Sequence, residues 1–294
     1  MTIEILSVEL LDSERTVVDE FLQLSKTLEI GLGWHYLLDL SWAVKQLNPN
    51  RGLRVVDAGA GLGLMQWWLI GQGVDVVSID RNNRRNLPDH FRKKYRVRGF
   101  KKNDLAPAIR LGDFLSLRLL SDWRKTFQKF FVAGQRLWWV ANIRKPPGTL
   151  HIYNIELASI SDIPDNSIDA VVSISALEHN SPETLRIIVT ELLRVLKPGG
   201  KLIATLGAAK ENDWFHEPSG GWCFTEHTLR DIFDLNATSN SNYDQYDELM
   251  IRLQNSDALK HNLSDFYFES GNNGMPWGIW NPQYQPVGVI KVKQ

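Results

Sequence analysis

LRVVDAGAGLGL, residues 53–64, opens with an apolar run too short for a helix. It breaks at Gly59, Gly61 and Gly63, then continues into MQWWLI, residues 65–70, which has helical composition. That order reads as strand, tight turn, helix. Glycines let a backbone approach a ligand where a Cβ would collide, and the helix that follows offers its free N–H groups at the same place. The turn is therefore suited to a nucleotide-like molecule.

Several nucleotide folds use such a turn, and its details separate them. A phosphate-cradling P-loop ends in Gly-Lys-Ser/Thr, whereas Leu64, Met65 and Gln66 follow Gly63 here. The dinucleotide pattern places its third glycine three residues after the second, where this chain has Leu64. What remains is Asp57 two residues ahead of the first of three alternating glycines. This resembles the first motif of the class I S-adenosylmethionine-dependent methyltransferases of the type 11-like group. The resemblance implies a Rossmann-like doubly wound α/β sheet and S-adenosyl-L-methionine as cofactor. It also implies that Asp57, Gly59, Ala60, Gly61 and Gly63 surround that cofactor.

The 294 residues, 43% hydrophobic and 23% charged, are enough for one large or two small domains with a full core. Acids stand near the N-terminus where a signal peptide would be basic, and no apolar run is long enough to span a bilayer, so a cytoplasmic location is expected. Cys223 alone excludes an internal disulfide, and no ligand spacing indicates a metal site. The net charge of -1 conceals an asymmetry: residues 81–150 carry 18 Lys and Arg against 4 Asp, and the remainder is correspondingly acidic.

Residues 1–30 read as helical and acidic, with Val17, Val18, Phe21, Leu22 and Leu24 forming an apolar stripe. A second helix over 34–47 follows, and residues 1–50 are expected to cover the cofactor site, with Trp34, His35 and Tyr36 either packing or touching ligand. VDVVSID, residues 74–80, is a second strand ending in an acid. Asp80 lies 21 residues past Gly59, near the spacing at which Rossmann-like folds set a carboxylate on the ribose hydroxyls. Arg81 adjoins it.

The next good strand, LHIYNIE, waits until residues 150–156, so residues 81–149 read as a basic, mainly helical insertion after the second strand. From 113 to 145 it turns amphipathic. Leu117, Trp123, Phe127, Phe130 and Phe131 share one side of a helical wheel, with Arg118, Lys125, Lys129 and Arg136 opposite. Such a pattern suits an interfacial helix at an anionic membrane or a lid over the active site, and the two roles are compatible. The methyltransferase core then comprises residues 51–80 and 150–294.

IPDNSIDAVVSIS, residues 163–175, gives a turn and a β-branched strand, followed by Ala176, Leu177, Glu178 and His179. Both stretches resemble the region of the fourth strand in the same family. Ser181 and Pro182 start a helix, Lys197-Pro198-Gly199-Gly200 ends it, and residues 201–206 make the fifth strand. The resemblance implies a cofactor contact at Ser175 and an adenine contact at Glu156 or Leu157. The spacing from Glu156 to Asp165 is longer than usual, which leaves Asn154 as a competitor. His179, His216 and Glu217 fall on the loops after the fourth and fifth strands, where a general base for a hydroxyl acceptor would sit.

The expectation is an S-adenosylmethionine-dependent methyltransferase. It would act on oxygen of a small-molecule or a lipid- or carbohydrate-linked acceptor, with peripheral membrane contact through residues 113–145. Two alternatives remain. One is a nucleic-acid methyltransferase gripping phosphates with the basic insertion, disfavoured by the acidic remainder and by the lack of an Asn/Asp-Pro-Pro-Tyr/Phe motif at 175–178. The other is a non-catalytic binding scaffold.

Overall fold

A computed structural model describes residues 1–107, 131–132, 134–135, 145–261 and 280–294. The apolar runs become the strands of one sheet: β1 (Thr2–Ile5), β2 (Arg54–Ala58), β3 (Asp75–Asp80), β4 (Val97–Gly99), β5 (Leu150–Asn154), β6 (Ile168–Ile174), β7 (Leu196–Ala208), β8 (Trp214–His216), β9 (Gly221–Phe224), β10 (Asn240–Ser241) and β11 (Gln285–Val292). Their order is β10-β1-β11-β7-β6-β2-β3-β5-β4, with β9 alongside the end of β7 and β8 paired to β9. β4, β5, β3, β2, β6 and β7 run parallel, and β11 is antiparallel to β7 and to β1. This is the doubly wound α/β arrangement that the glycine turn implies.

Parallel strands covered on both faces read as continuous apolar runs, with successive side chains entering opposite layers. Val55 and Val76 pack in one layer and their neighbours Val56 and Val77 in the other. The first layer is built on α1 (Leu10–Ser13), α2 (Arg15–Leu28), α3 (Tyr36–Leu47), α4 (Leu64–Gly71) and α5 (Asp89–Lys94); the second on α6 (Pro182–Val195) and α7 (Glu226–Ile232). Ser181 and Thr225 cap α6 and α7 by accepting the N–H groups of Thr184 and Thr228. β2 lies where the chain reverses direction across the sheet, placing β3 on one side and β6 on the other. Ligands of such sheets bind in the crevice at the carboxyl ends of the strands beside that switch point. The turn at Gly59–Gly63 opens there.

Three expectations change. Residues 2–5 are a strand rather than helix: buried Ile3 and Ile5 alternate with half-buried Thr2 and Glu4, and β1 finds its partner in β11, nearly the whole chain away. In the described part of the insertion α5 is short, residues 131–132 and 134–135 are helical, and β4 joins the main sheet beside β5. The fifth strand extends well past both ends of 201–206. Most of the amphipathic stretch over 113–145 lies outside the described residues, as do Trp123, Trp138, Trp139 and Trp277. Among the described residues, no helix is long and apolar enough to cross a membrane.

Candidate active site

The glycine turn needs its glycines for different reasons. Gly59 has φ +73° and Gly61 φ +46°, both in the left-handed region. A Cβ on Gly59 would also stand 2.5 Å from the Cβ of Ala176, so here the close approach is to the turn after β6. Gly63 has an ordinary negative φ and caps α4.

Two buried side chains hold the turn from beneath. The Gln66 amide Nε2 faces the carbonyls of Ala60, Gly61 and Gly63 at 3.3, 3.2 and 3.1 Å, and its Oε1 accepts the Ser78 hydroxyl at 2.7 Å. Arg84 donates to the Gly61 carbonyl at 3.1 Å, to the Ser78 hydroxyl, and to the Ser78 and Tyr153 carbonyls at 2.8 and 3.1 Å. The basic run at 81–102 reads as a solvated or partner-binding surface, yet Arg84 is buried. Its charge serves three carboxylates, Asp80, Asp57 and Asp104. Burial pushes the Asp57 carboxyl up to about 7, against the pull of Arg84. Asp80 accepts the Gly61 N–H at 2.8 Å and the Asn82 N–H at 2.7 Å, one on each oxygen.

Above the turn lies a cleft of about 430 Å³. Asp57, Gly59, Ala60, Gly61, Gly63, Asp80, Arg81, Glu156, Leu157 and Ser175 all line it, so the structure gathers the expected cofactor residues in one place. Asn154, the competitor at the third strand, is tied instead to the Asp104 carbonyl at 2.8 Å and to the Arg84 N–H at 3.1 Å.

A second cavity of about 330 Å³ adjoins the first, and Tyr36, Ser175 and His179 belong to both walls. Ser175 holds a left-handed conformation, φ +46°, its N–H donating to the Thr205 carbonyl and hydroxyl. Its hydroxyl donates to Glu178 Oε1 at 2.5 Å. The His179 Nδ1 is 2.9 Å from the Gly220 carbonyl, which only accepts, so Nδ1 carries the proton and Nε2 a lone pair. Deeper in the second cavity, His35 meets Asp39 at 2.6 Å through Nδ1 and the Tyr284 hydroxyl at 3.3 Å through Nε2. Burial, with the nearby Glu178 and Asp39 charges, raises the Tyr36 hydroxyl to about 12. Of the aromatic triplet at 34–36, Trp34 packs in the core, whereas His35 and Tyr36 face the cavity.

The other two candidate bases lie apart. His216 is buried with Nδ1 2.7 Å from the Ser219 hydroxyl and its ring against Tyr284, burial lowers its basicity, and it lines neither cavity. Glu217 is exposed and lines neither cavity.

The methyltransferase domain family profile matches residues 138–204, from just before β5 into β7. The match spans less than half of the chain. The class I resemblance of the glycine turn, which precedes the matched segment, agrees with it, and so does the doubly wound sheet. No curated protein matches the chain. Solved structures similar to the chain include an S-adenosylmethionine-dependent methyltransferase from Aquifex aeolicus, 18% identical over 71% of this chain and 85% of that one, with a TM-score of 0.39. The 1,6-didemethyltoxoflavin-N1-methyltransferase of Burkholderia thailandensis, with bound 1,6-didemethyltoxoflavin and S-adenosylhomocysteine, is 14% identical over 76% and 74%, with a TM-score of 0.40. The phosphoethanolamine N-methyltransferase 2 of Haemonchus contortus is 12% identical over 97% and 60%, with a TM-score of 0.46.

Sequence reasoning assigned no role to Gln66, Arg84, Glu178 or Tyr284. A glutamine inside the apolar run at 64–70 was a usable signal, since a buried amide must find partners. Nothing local marks Tyr284, which arrives from the far end of the chain.

Proposed function

We propose that the protein transfers a methyl group from S-adenosylmethionine, held in the cleft over the glycine turn, to a hydroxyl of an acceptor in the second cavity. The observation that carries this is the pair of adjoining cavities with Tyr36, Ser175 and His179 in both walls. The residues present suit the cofactor. Each Asp80 oxygen has spent one lone pair on a backbone N–H and keeps another for a ribose hydroxyl. Leu157 and Ile174 offer apolar walls for an adenine, and the backbone at Gly59–Gly63 comes close without side chains.

When bound, the cofactor supplies a methyl carbon on a sulfonium sulfur, the carbon–sulfur bond breaking as the oxygen–carbon bond forms and leaving the neutral thioether. His179 Nε2 takes the hydroxyl proton, and the Gly220 carbonyl fixes the tautomer that makes this possible. Tyr36 and Ser175 position the acceptor at the junction, and positioning carries most of the rate in such a displacement. His216 orients the wall through Ser219 and Tyr284.

The acceptor is a small molecule or the polar end of a lipid- or carbohydrate-linked one, handled in the cytoplasm or at an anionic membrane surface. In this reading residues 81–149 form a lid, residues 1–50 cover the cofactor, and 51–80 with 150–294 form the core. Exposed Arg96, Arg98, Lys101, Lys102 and Phe131 support the surface contact. Sedimentation with anionic liposomes at low but not high salt checks it, and indifference to lipid removes it.

Calorimetry with S-adenosylhomocysteine and turnover of His179→Ala test the core of the proposal. His179→Ala is expected to retain ligand affinity and lose about a hundredfold or more in turnover, the usual worth of a general base. Absence of S-adenosylhomocysteine binding by the wild type refutes it, and full turnover by His179→Ala removes the base.

A further inference from the structure

Glu178 sits on the turn after β6, only 6% exposed, between Ser175 and the floor of the second cavity. One oxygen is engaged by the Ser175 hydroxyl, but Oε2 has no hydrogen-bond partner among the described residues. Leaving a buried carboxylate oxygen without a donor is expensive, and such a group calls for an explanation. Gly221 keeps its flank open: a Cβ there would stand 3.1 Å from the Glu178 Cγ and 3.7 Å from the His179 ring.

The surroundings say what would satisfy it. His179, Ser175, His35, Tyr36, Tyr284 and Cys223 interact electrostatically with Glu178. No Lys or Arg is among the described residues that line the cavity, so no fixed cation there would pair with a phosphate or carboxylate. Burial raises the Glu178 carboxyl above its ordinary value, the neighbouring His179 and the Ser175 hydroxyl pull partly against it, and a cation donating to Oε2 would stabilise the carboxylate further. The rings of Tyr36, Trp222 and Tyr284 also line the cavity, and aromatic faces attract a cation.

We propose that Glu178 anchors the acceptor, and that the second cavity takes a small acceptor with a protonated amine whose N–H donates to Oε2 while its hydroxyl faces His179. Acceptors ending in a phosphate or carboxylate are excluded by the same charge. The inference rests on the two-cavity reading of methyl transfer, and it assigns the recognition of that second site.

The test uses the full-length protein saturated with S-adenosylhomocysteine, titrated calorimetrically with two matched sets of probes. One set is tyramine, tyrosol and 4-hydroxyphenylacetate; the other is ethanolamine, ethylene glycol and glycolate. In at least one set the amine is expected to bind about tenfold or more tightly than its neutral isostere, the scale of a charge-assisted hydrogen bond, with the carboxylate weakest. Glu178→Gln is expected to abolish that preference while S-adenosylhomocysteine affinity stays unchanged. Lack of amine preference in both sets, lack of any probe binding, or a preference that survives Glu178→Gln overturns the proposal. If Glu178→Gln does not fold, the wild-type comparison decides alone. The preceding S-adenosylhomocysteine titration reads the methyl-donor site separately, so failure there is distinguishable from failure here.

Discussion

Replacing Gln66 by Leu removes the amide that ties the glycine turn together while nearly preserving volume, and its cost can be worked bond by bond. The amide has two hydrogens for three carbonyls at 3.1–3.3 Å, so it makes at most two full hydrogen bonds, each worth about 1 kcal/mol net. Two of those carbonyls are not left bare by the change, because the Ala60 carbonyl also accepts the Gly63 N–H and the Gly61 carbonyl also accepts Arg84. The Ser78 hydroxyl fares worse. It donates to Gln66 Oε1 in a fully buried position, and losing that acceptor costs about 1–3 kcal/mol more.

The sum for Gln66→Leu is about 3–5 kcal/mol by these principles, large against the total stability of an ordinary domain. Urea denaturation of the ligand-free protein measures it. Because the amide fixes the turn rather than touching ligand, S-adenosylhomocysteine affinity is expected to fall as well, by about tenfold if the loosened turn must be re-ordered on binding. A variant within about 0.5 kcal/mol of wild type and with unchanged affinity would refute the scaffolding role, since that loss is no more than an ordinary surface substitution causes.

Asp80→Ala is expected to weaken S-adenosylhomocysteine binding substantially in calorimetry, having lost both the ribose acceptor and the group that holds the Gly61 N–H; unchanged affinity sinks the ribose assignment. Asp57 gives a pH effect whose sign follows from its raised carboxyl. The unfolded chain releases that proton at the ordinary carboxyl value of 3.8, whereas the fold keeps it up to about 7, so the folded state binds more protons between those values. This contribution to stability is complete below the unfolded value and is lost as pH rises towards 7. Asp57→Asn should flatten that slope in urea midpoints measured across the window, and an unaltered slope rejects it. Gly288→Ala drives a methyl to 2.4 Å from the Trp42 ring and is expected to cost about 1–3 kcal/mol or more, read as a lowered melting temperature.

What could be read from the sequence was what is local. The strand-turn-helix at 53–70, the acid closing β3 and the cap of α6 each declare themselves within a few residues, and the structure places them as expected. β1 failed because four residues carry too little periodicity to outweigh the helical stripe that follows, and its pairing with residues 287–290 is invisible to a local pattern. Arg84 was hidden in a charge run whose other members are mostly exposed, so composition pointed the wrong way for the one that carries the turn. The second cavity was the least legible feature. It is assembled from segments at 33–36, 175–179, 207, 218–223 and 284, and only His179 among its walls had been singled out as a base.

The joining of the two cavities falls on Ser175, and its backbone shows that this junction is constrained. A non-glycine residue at φ +46° stores strain, on the order of 1–3 kcal/mol, that the surrounding fold must hold in place. Thr205 on β7 does so by receiving the Ser175 N–H on both its carbonyl and its hydroxyl, the latter at 3.1 Å. The strained turn brings the Ser175 side chain back towards Glu178 while its neighbour Ala176 packs against Gly59 across the opening of the first cleft. A relaxed residue there would separate these two contacts. Ser175, Ala176 and Thr205 thus fix the distance between the glycine turn and the buried carboxylate.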